Sequence, residues 1–326
     1  MHVLVTGGAG FIGGHFVRHA LAADPAVRVT TLDALTYAGN ASTVADLDRE
    51  PRHRFVHGDV RDAALVHRLV SEVDAVAHFA AESHVDRSID DPSPFLHTNV
   101  VGTGVVLDAA RRHGVDRVLH VSTDEVYGSV PAPDHVDEDA PLRPNSPYAA
   151  SKAAADLLVR SHRVTYGQPV LVTRSTNCFG PFHHPEKAIP RFVTRLLDGG
   201  SVPLYGDGSH RRDWTFVADN VAAQWLVLTE GEPGTTYNVG AGNERSNREL
   251  VAALLALFGR DDTAIESVPD RPGHDRRYAV DTTRIRALGW KPEHDLEAAL
   301  ADTVAWYRAN EDWWRPLVDD ARRGRG

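Results

Sequence analysis

Short apolar runs recur along the chain at Val3–Val5, Val27–Leu32, Arg54–His57, Ala75–Phe79, Arg117–Val121 and Val170–Thr173, rich in β-branched residues and too short for helices. Between them the apolar positions take helical spacing, as at Val17 and Leu21 after the first run. Strands alternating with helices predict right-handed βαβ crossovers, and therefore a doubly wound parallel sheet of the α/β class. After Asn177 the rhythm loosens, with Gly180-Pro181, Gly199-Gly200, Gly206-x-Gly208 and Gly231-x-Pro233 punctuating shorter elements. The pattern predicts a domain over 1–177 and a smaller α/β lobe over 178–326, the two interleaving. Apolar spacing from Leu296 to Tyr307 predicts a late amphipathic helix, and the arginine- and glycine-rich end, Arg322–Gly326, is expected to fray.

A length of 326 residues suits one large α/β unit or two unequal lobes. The formal net charge of −10 disfavours a general nucleic-acid or anionic-membrane surface, so an anionic ligand would need local donors. No apolar run approaches the roughly 18 residues of a membrane span. The single cysteine, Cys178, cannot form an intrachain disulfide, and the first residues carry neither a basic region nor a cleavage site; a cytoplasmic protein is expected. Lysine occurs at only three positions, Lys152, Lys187 and Lys291, in a chain otherwise supplied with arginine, so each lysine is informative.

Gly7-x-x-Gly10-x-x-Gly13 falls where the first strand meets a helix, the place where small residues let a pyrophosphate approach backbone amides and the positive end of a helix dipole. Asp33, twenty residues beyond Gly13 at the end of the second strand, can accept ribose hydroxyls and would repel a 2′-phosphate. Together these predict a Rossmann-type domain that prefers NAD to NADP. Asp59-Val60, after the third strand, suits either an adenine edge or a helix cap. Tyr148 and Lys152 stand one helical turn apart, an arrangement in which a phenol next to an ammonium can remove a hydroxyl proton while hydride leaves the same carbon. Ser122-Thr123-Asp124-Glu125 follows the fifth strand, at the end of the sheet where ligands of such folds bind. Both carboxyls reach one substrate only if the chain bends there; an acid beside a base could then eliminate water, whereas a solvated acidic turn is the alternative. His183-His184 with Glu186 has no zinc-ligand spacing, so no metal is expected, and Cys178 reads as a small packing residue.

These residues resemble the extended short-chain dehydrogenase/reductases, and among them the dTDP-glucose 4,6-dehydratases. The resemblance runs through nearly the whole chain, including TGGAGFIG (6–13), LDALTYAGN (32–40), HFAAESHVDRSI (78–89), VSTDEVYG (121–128), SPYAASKA (146–153), HPEKAIPRFV (184–193), RDWTFVAD (212–219) and DRPGHDRRYAVD (270–281). Related epimerases and decarboxylases share the glycines and the Tyr-x-x-x-Lys pair but typically lack the adjacent Asp-Glu. Ala34 stands where a lysine is common, Cys178 where an asparagine is common and Phe179 where a tyrosine is common.

The resemblance implies an NAD cradle of Gly7, Gly10, Phe11, Ile12 and Gly13, with Asp33, Ala34, Leu35 and Thr36 after the second strand and Asp59 and Val60 after the third. Phe79, Ala80, Ala81 and Ser83 follow the fourth strand, and Thr98, Tyr148, Lys152 and Cys178 complete the set. For a nucleotide-sugar substrate it implies Ser83, Thr123, Asn177, Lys187 and Ala188 near the sugar and phosphates. Arg212, Asn247, Arg271 and His274 would serve the diphosphate, and Pro203, Leu204 and Tyr205 the nucleobase. The implied reaction is a closed redox cycle on dTDP-glucose. Tyr148, assisted by Lys152 and Thr123, takes the proton from the carbon 4 hydroxyl as hydride leaves; Glu125 removes the carbon 5 proton, Asp124 protonates the departing carbon 6 hydroxyl, and hydride returns to carbon 6. The product is a 4-keto-6-deoxy sugar, so the expected enzyme is a hydro-lyase. A homodimer is implied through the Ser93–His113 region and the helix bearing Tyr148. An NAD-dependent nucleotide-sugar epimerase or decarboxylase would use all but the Asp-Glu pair, and a catalytically silent NAD-binding scaffold would need none of the five catalytic residues.

Overall fold

A computed structural model describes residues 1–322; the expected fraying end lies, from residue 323 on, outside the described residues. Six strands form at the apolar runs: β1 His2–Thr6, β2 Arg28–Asp33, β3 His53–His57, β4 Ala75–His78, β5 Arg117–Thr123 and β6 Val170–Ser175. The lobe residues add β7 Asn177–Phe179, β8 Val202–Tyr205, β9 Arg211–Phe216, β10 Thr236–Val239, β11 Glu244–Ser246 and β12 Ile265–Val268. The main sheet runs β10-β6-β5-β4-β1-β2-β3, and every pairing in it is parallel.

Parallel strands with both faces covered read as continuous apolar runs, because alternate side chains enter opposite cores. In β1, Val3 and Val5 pack with Phe16, Val17 and Val221 from helices Phe11–Ala23 and Val217–Glu230. Leu4, between them, joins Val106, Leu107 and Val159 on the opposite face, from helices Thr103–His113 and Pro147–Tyr166. The strand order reverses between β1 and β4, and this opens the crevice at their carboxyl ends in which open α/β sheets bind ligands.

After β6 the chain leaves the sheet, builds β7, β8 and β9, returns through helix Val217–Glu230 and β10, and leaves again. The smaller lobe closes around Phe179, Ile189, Trp214, Leu254, Tyr307 and Trp314, with β11-β9-β7 and β12-β8 as its two small sheets. The predicted late helix spans Leu296–Ala309 and buries Leu300, Val304 and Tyr307 in that core. Among the described residues no helix is long and apolar enough to cross a membrane.

Candidate active site

The crevice holds a cleft of about 400 Å³ at the carboxyl ends of β1, β4, β5 and β6. Its floor is the β1 turn. Gly7 has φ +71°, and a Cβ there would sit 2.6 Å from the Ala80 amide nitrogen; a Cβ on Gly13 would sit 2.2 Å from the Gly7 carbonyl oxygen. Any larger residue would push the helix away from the strand. Gly10 caps helix Phe11–Ala23 without a side-chain acceptor, so the first-turn amides remain available to an anion. At one side of the floor, Asp33 accepts from the Ala9 and Leu35 amides at 2.9 and 2.8 Å. Each carboxylate oxygen keeps a further lone pair for a ribose hydroxyl. The turn, the free amides and the buried carboxylate fit a dinucleotide.

The acidic pair lies at the other end of the cleft. β5 stops at Thr123, and Asp124–Tyr127 turns into a single 3₁₀ turn, with the Thr123 hydroxyl accepting from the Glu125 amide at 3.2 Å. That bend is what a continuing strand would have lacked, and it brings both carboxyls to the cleft wall. Burial and the neighbouring Glu125 charge push the Asp124 carboxyl well above the usual range. Its Oδ1 accepts from the Thr123 hydroxyl at 3.3 Å, while its Oδ2 is buried with no partner. Glu125 is also pushed up by burial, but Arg271, Arg212 and Lys187 pull it back toward ionisation. Both are raised, Asp124 the more strongly, an arrangement by which paired carboxyls can divide into an acid and a base.

Tyr148 faces the same space. Burial and the charge of Glu125 drive its phenol up, and the Thr123 hydroxyl partly offsets them. Lys152 is buried, donates to the Val121 carbonyl at 2.7 Å, and has its ammonium pushed down to about 8 by burial. In this state the groups acting on the phenol favour the protonated form, so ionisation requires added positive charge in the cleft.

Of the expected cofactor residues, Gly7, Gly10, Phe11, Ile12 and Gly13 line the cleft, as do Asp33, Ala34 and Thr36. So do Asp59, Val60, Phe79, Ala80, Ala81 and Ser83, together with Thr98 and Cys178. Leu35 does not line it; its φ of +50° turns its amide onto Asp33. Burial and the charges of Asp124 and Asp213 raise the Cys178 thiol, keeping it protonated. On the substrate side Asn177, Lys187 and Ala188 line the cleft beside Thr123. Tyr205, Arg212, Asn247, Arg271 and His274 belong to the lobe and do not line it, although Arg212 and Arg271 act on Glu125. Asp86 gathers two of them, accepting from Tyr205 Oη at 3.2 Å and Arg271 at 3.4 Å. Pro203 and Leu204 are buried, and Leu204 belongs to the lobe core, which leaves its backbone rather than its side chain for a ligand.

Residues 4–303 match the family described as GDP-mannose 4,6 dehydratase. The chain belongs to this family. Within it, the chain is 54% identical over 322 residues to a dTDP-glucose 4,6-dehydratase of Streptomyces griseus, covering 97% of each chain. It is 51% identical over 323 residues to the dTDP-glucose 4,6-dehydratase of Mycolicibacterium smegmatis, covering 98% of this chain and 97% of that one. Among solved structures, DesIV of Streptomyces venezuelae, a dTDP-glucose 4,6-dehydratase determined with NAD bound, superposes with a TM-score of 0.95 at 54% identity, over 97% of this chain and all of that one.

Other features of this dehydratase-family site are not evident from the sequence alone. Tyr278 donates to Asp275 at 2.9 Å and lies 3.5 Å from Glu125 Oε2, so a residue 153 positions away meets the Glu125 carboxyl. The Arg212 guanidinium lies 4.2 Å over the Tyr278 ring and donates to the Arg211 and Asp275 carbonyls at 2.7 and 2.9 Å. It is buried, and the neighbouring Asp213 instead accepts from the Gly242 and Asn243 amides, so Arg212-Asp213 is not a surface ion pair. His183 stacks on Phe11 at 4.1 Å, and His184 lines the cleft beside it. A different trio, His210, Asp270 and His274, has its possible ligand atoms within 4.8 Å of one another. Its imidazoles stack at 3.8 Å and 12°, however, so their lone pairs run side by side instead of converging, and Asp270 approaches both rings.

Proposed function

We propose that this chain is an NAD-dependent hydro-lyase that converts dTDP-glucose to dTDP-4-keto-6-deoxyglucose. The observation that carries the reading is the buried Asp124–Glu125 turn next to Tyr148, an acid and a base that oxidation or epimerisation alone would not require. Gly7, Gly10 and Gly13, with Asp33 and the cleft residues after β3 and β4, hold NAD. When bound, NAD would supply the hydride acceptor for carbon 4, the hydride donor for carbon 6, and a positive charge in the cleft.

The chain's own groups move the protons. Tyr148 accepts the one from the carbon 4 hydroxyl, with Thr123 holding the phenol. Glu125, the carboxyl favoured as anion by Arg271, Arg212 and Lys187, removes the carbon 5 proton and later returns it. Asp124, held neutral, gives its proton to the departing hydroxyl as water forms. The proton gained by Tyr148 balances the one lost by Asp124, and exchange through solvent resets both. Residues 1–177 contribute most of the cofactor cradle, while the lobe from 178 onward supplies Lys187, Arg212 and Arg271 to offset the substrate's diphosphate.

The protein acts in the cytoplasm, a setting that suits its one unpaired cysteine. It acts as a homodimer. Leu96 and Val101, with Leu157, Val164 and Tyr166 on helix Pro147–Tyr166, are each more than half exposed on helices that pack side by side, an apolar face suited to a second copy. Incubation with NAD and dTDP-glucose, followed by mass spectrometry, tests the activity. Loss of one water and a 4-keto product are expected; a carbon 4 epimer of unchanged mass would overturn the reading.

A further inference from the structure

Tyr148, Lys152 and Asp156 follow one another at four-residue intervals on helix Pro147–Tyr166, so they share one face of it. The Lys152 ammonium is buried, and the hydrogen bond it makes is to the uncharged Val121 carbonyl. A buried ammonium with only a carbonyl beside it tends to lose its proton. One turn on, the Asp156 carboxylate is equally buried. Its Oδ2 accepts from Arg174 Nε at 2.9 Å; its Oδ1 has no hydrogen-bond partner and lies 3.4 Å from His120 Nε2. Arg174 is further tied to Tyr127 Oη at 2.7 Å and to the Glu138 carbonyl at 3.1 Å. The carboxylate therefore cannot swing away from the helix.

We propose that Asp156 is a positioning residue for the oxidation step, a fixed buried anion that keeps Lys152 charged beside Tyr148. This rests on the reading of Tyr148 and Lys152 as the oxidation pair. The other charged or titratable groups around Lys152 do not supply the anion. His120 on β5 and His78 on β4 are held neutral by burial, and His78 is bonded to Thr6 and Thr103 at 2.7 and 3.0 Å. Arg174 on β6 is a cation already paired to Asp156. Asp156 is the carboxylate that opposes the effect of burial on Lys152. Anchoring Arg174 is the purely structural role from which this one must be distinguished.

The test is the pH dependence of a single turnover. Formation of reduced cofactor on mixing dTDP-glucose with holoenzyme carrying Glu125→Gln, in which elimination is slow, isolates oxidation. Asp156→Asn leaves a buried guanidinium unpaired and endangers folding. Asp156→Asn/Arg174→Gln removes both charges and serves as the second variant. The expected result is a basic limb displaced to lower pH by about 0.5–1 unit in whichever variant folds, with the rate regained on lowering the pH. A basic limb coincident with that of Glu125→Gln alone, whatever the change in melting temperature, would overturn the proposal and leave Asp156 as an anchor. Wild-type protein that yields no 4-keto product from dTDP-glucose would overturn the functional reading, and this inference with it.

Discussion

Asp124 and Glu125 are neighbours in the chain, yet the turn after β5 gives them different electrostatic surroundings. Asp124 Oδ2 is buried without a partner, whereas Glu125 faces Arg271, Arg212 and Lys187 and has Tyr278 Oη 3.5 Å away. Both carboxyls are raised by burial, Asp124 the more strongly, while three cations oppose the rise at Glu125.

If Glu125 is the base, Glu125→Gln still oxidises the sugar but eliminates water about 10²–10⁴-fold more slowly. Reduced cofactor then accumulates on adding dTDP-glucose and decays slowly, and solvent-deuterium exchange at carbon 5 is suppressed. Tyr148→Phe forms little reduced cofactor at all. Stopped-flow absorbance separates the two, and a Glu125→Gln protein with wild-type elimination would return the pair to an acidic turn.

Asp124 predicts a pH-dependent cost to stability. Its carboxyl is raised above the ordinary 3.8, so the folded state binds the proton more tightly than the unfolded state does. Stability from this group is greatest at or below pH ~4 and falls as pH rises toward the folded value. Asp124→Asn removes the titration. Its melting temperature relative to wild type should climb as pH rises above ~4, while elimination is lost. A difference in melting temperature that does not vary with pH would contradict this.

Asp33 holds the buried Ala9 amide and the half-buried Leu35 amide as well as, in our reading, the ribose. Asp33→Ala should therefore weaken NAD⁺ more than the nucleotide sugar, and destabilise cofactor-free protein by about 1–3 kcal/mol for each amide left unpaired. Calorimetry on cofactor-free wild type should also find NADP⁺ the weaker ligand. Equal affinities would remove Asp33 from cofactor selection.

Arg212 lowers both members of the acidic pair and bridges two carbonyls. Arg212→Met should raise KM through lost diphosphate contact, by about 1.5–3 kcal/mol if a charged hydrogen bond is made. It should also move the acid limb of elimination to higher pH, because Glu125 loses a cation that favours its anion. An unchanged limb would confine Arg212 to substrate binding or packing.

The dimer reading makes Leu157→Glu with Val164→Glu a monomer by light scattering, with the far-ultraviolet circular dichroism unchanged. A dimer that persists would move the interface elsewhere.

The six strands of the main sheet that precede Asn177, the Gly7 turn, Asp33, the Tyr148–Lys152 spacing and the late helix were legible because each depends on residues close together in the chain. Strand periodicity, glycine at a positive φ and the four-residue helical turn are local constraints that any tertiary context must satisfy. Adjacency of Asp124 and Glu125 was equally visible, and the resemblance implied their roles; the groups that set their charges were not visible. Those groups are Arg271, Arg212, Lys187 and Tyr278, which the fold brings from beyond residue 186, and they act together with burial, which a linear pattern does not express. The same holds for β10, which returns to the sheet 61 residues after β6 ends, and for Asp156, whose effect on Lys152 depends on the absence of solvent around both. Local geometry set the elements and the cofactor turn, whereas the charges that choose acid from base act through space, and only the folded chain fixes what lies within their reach.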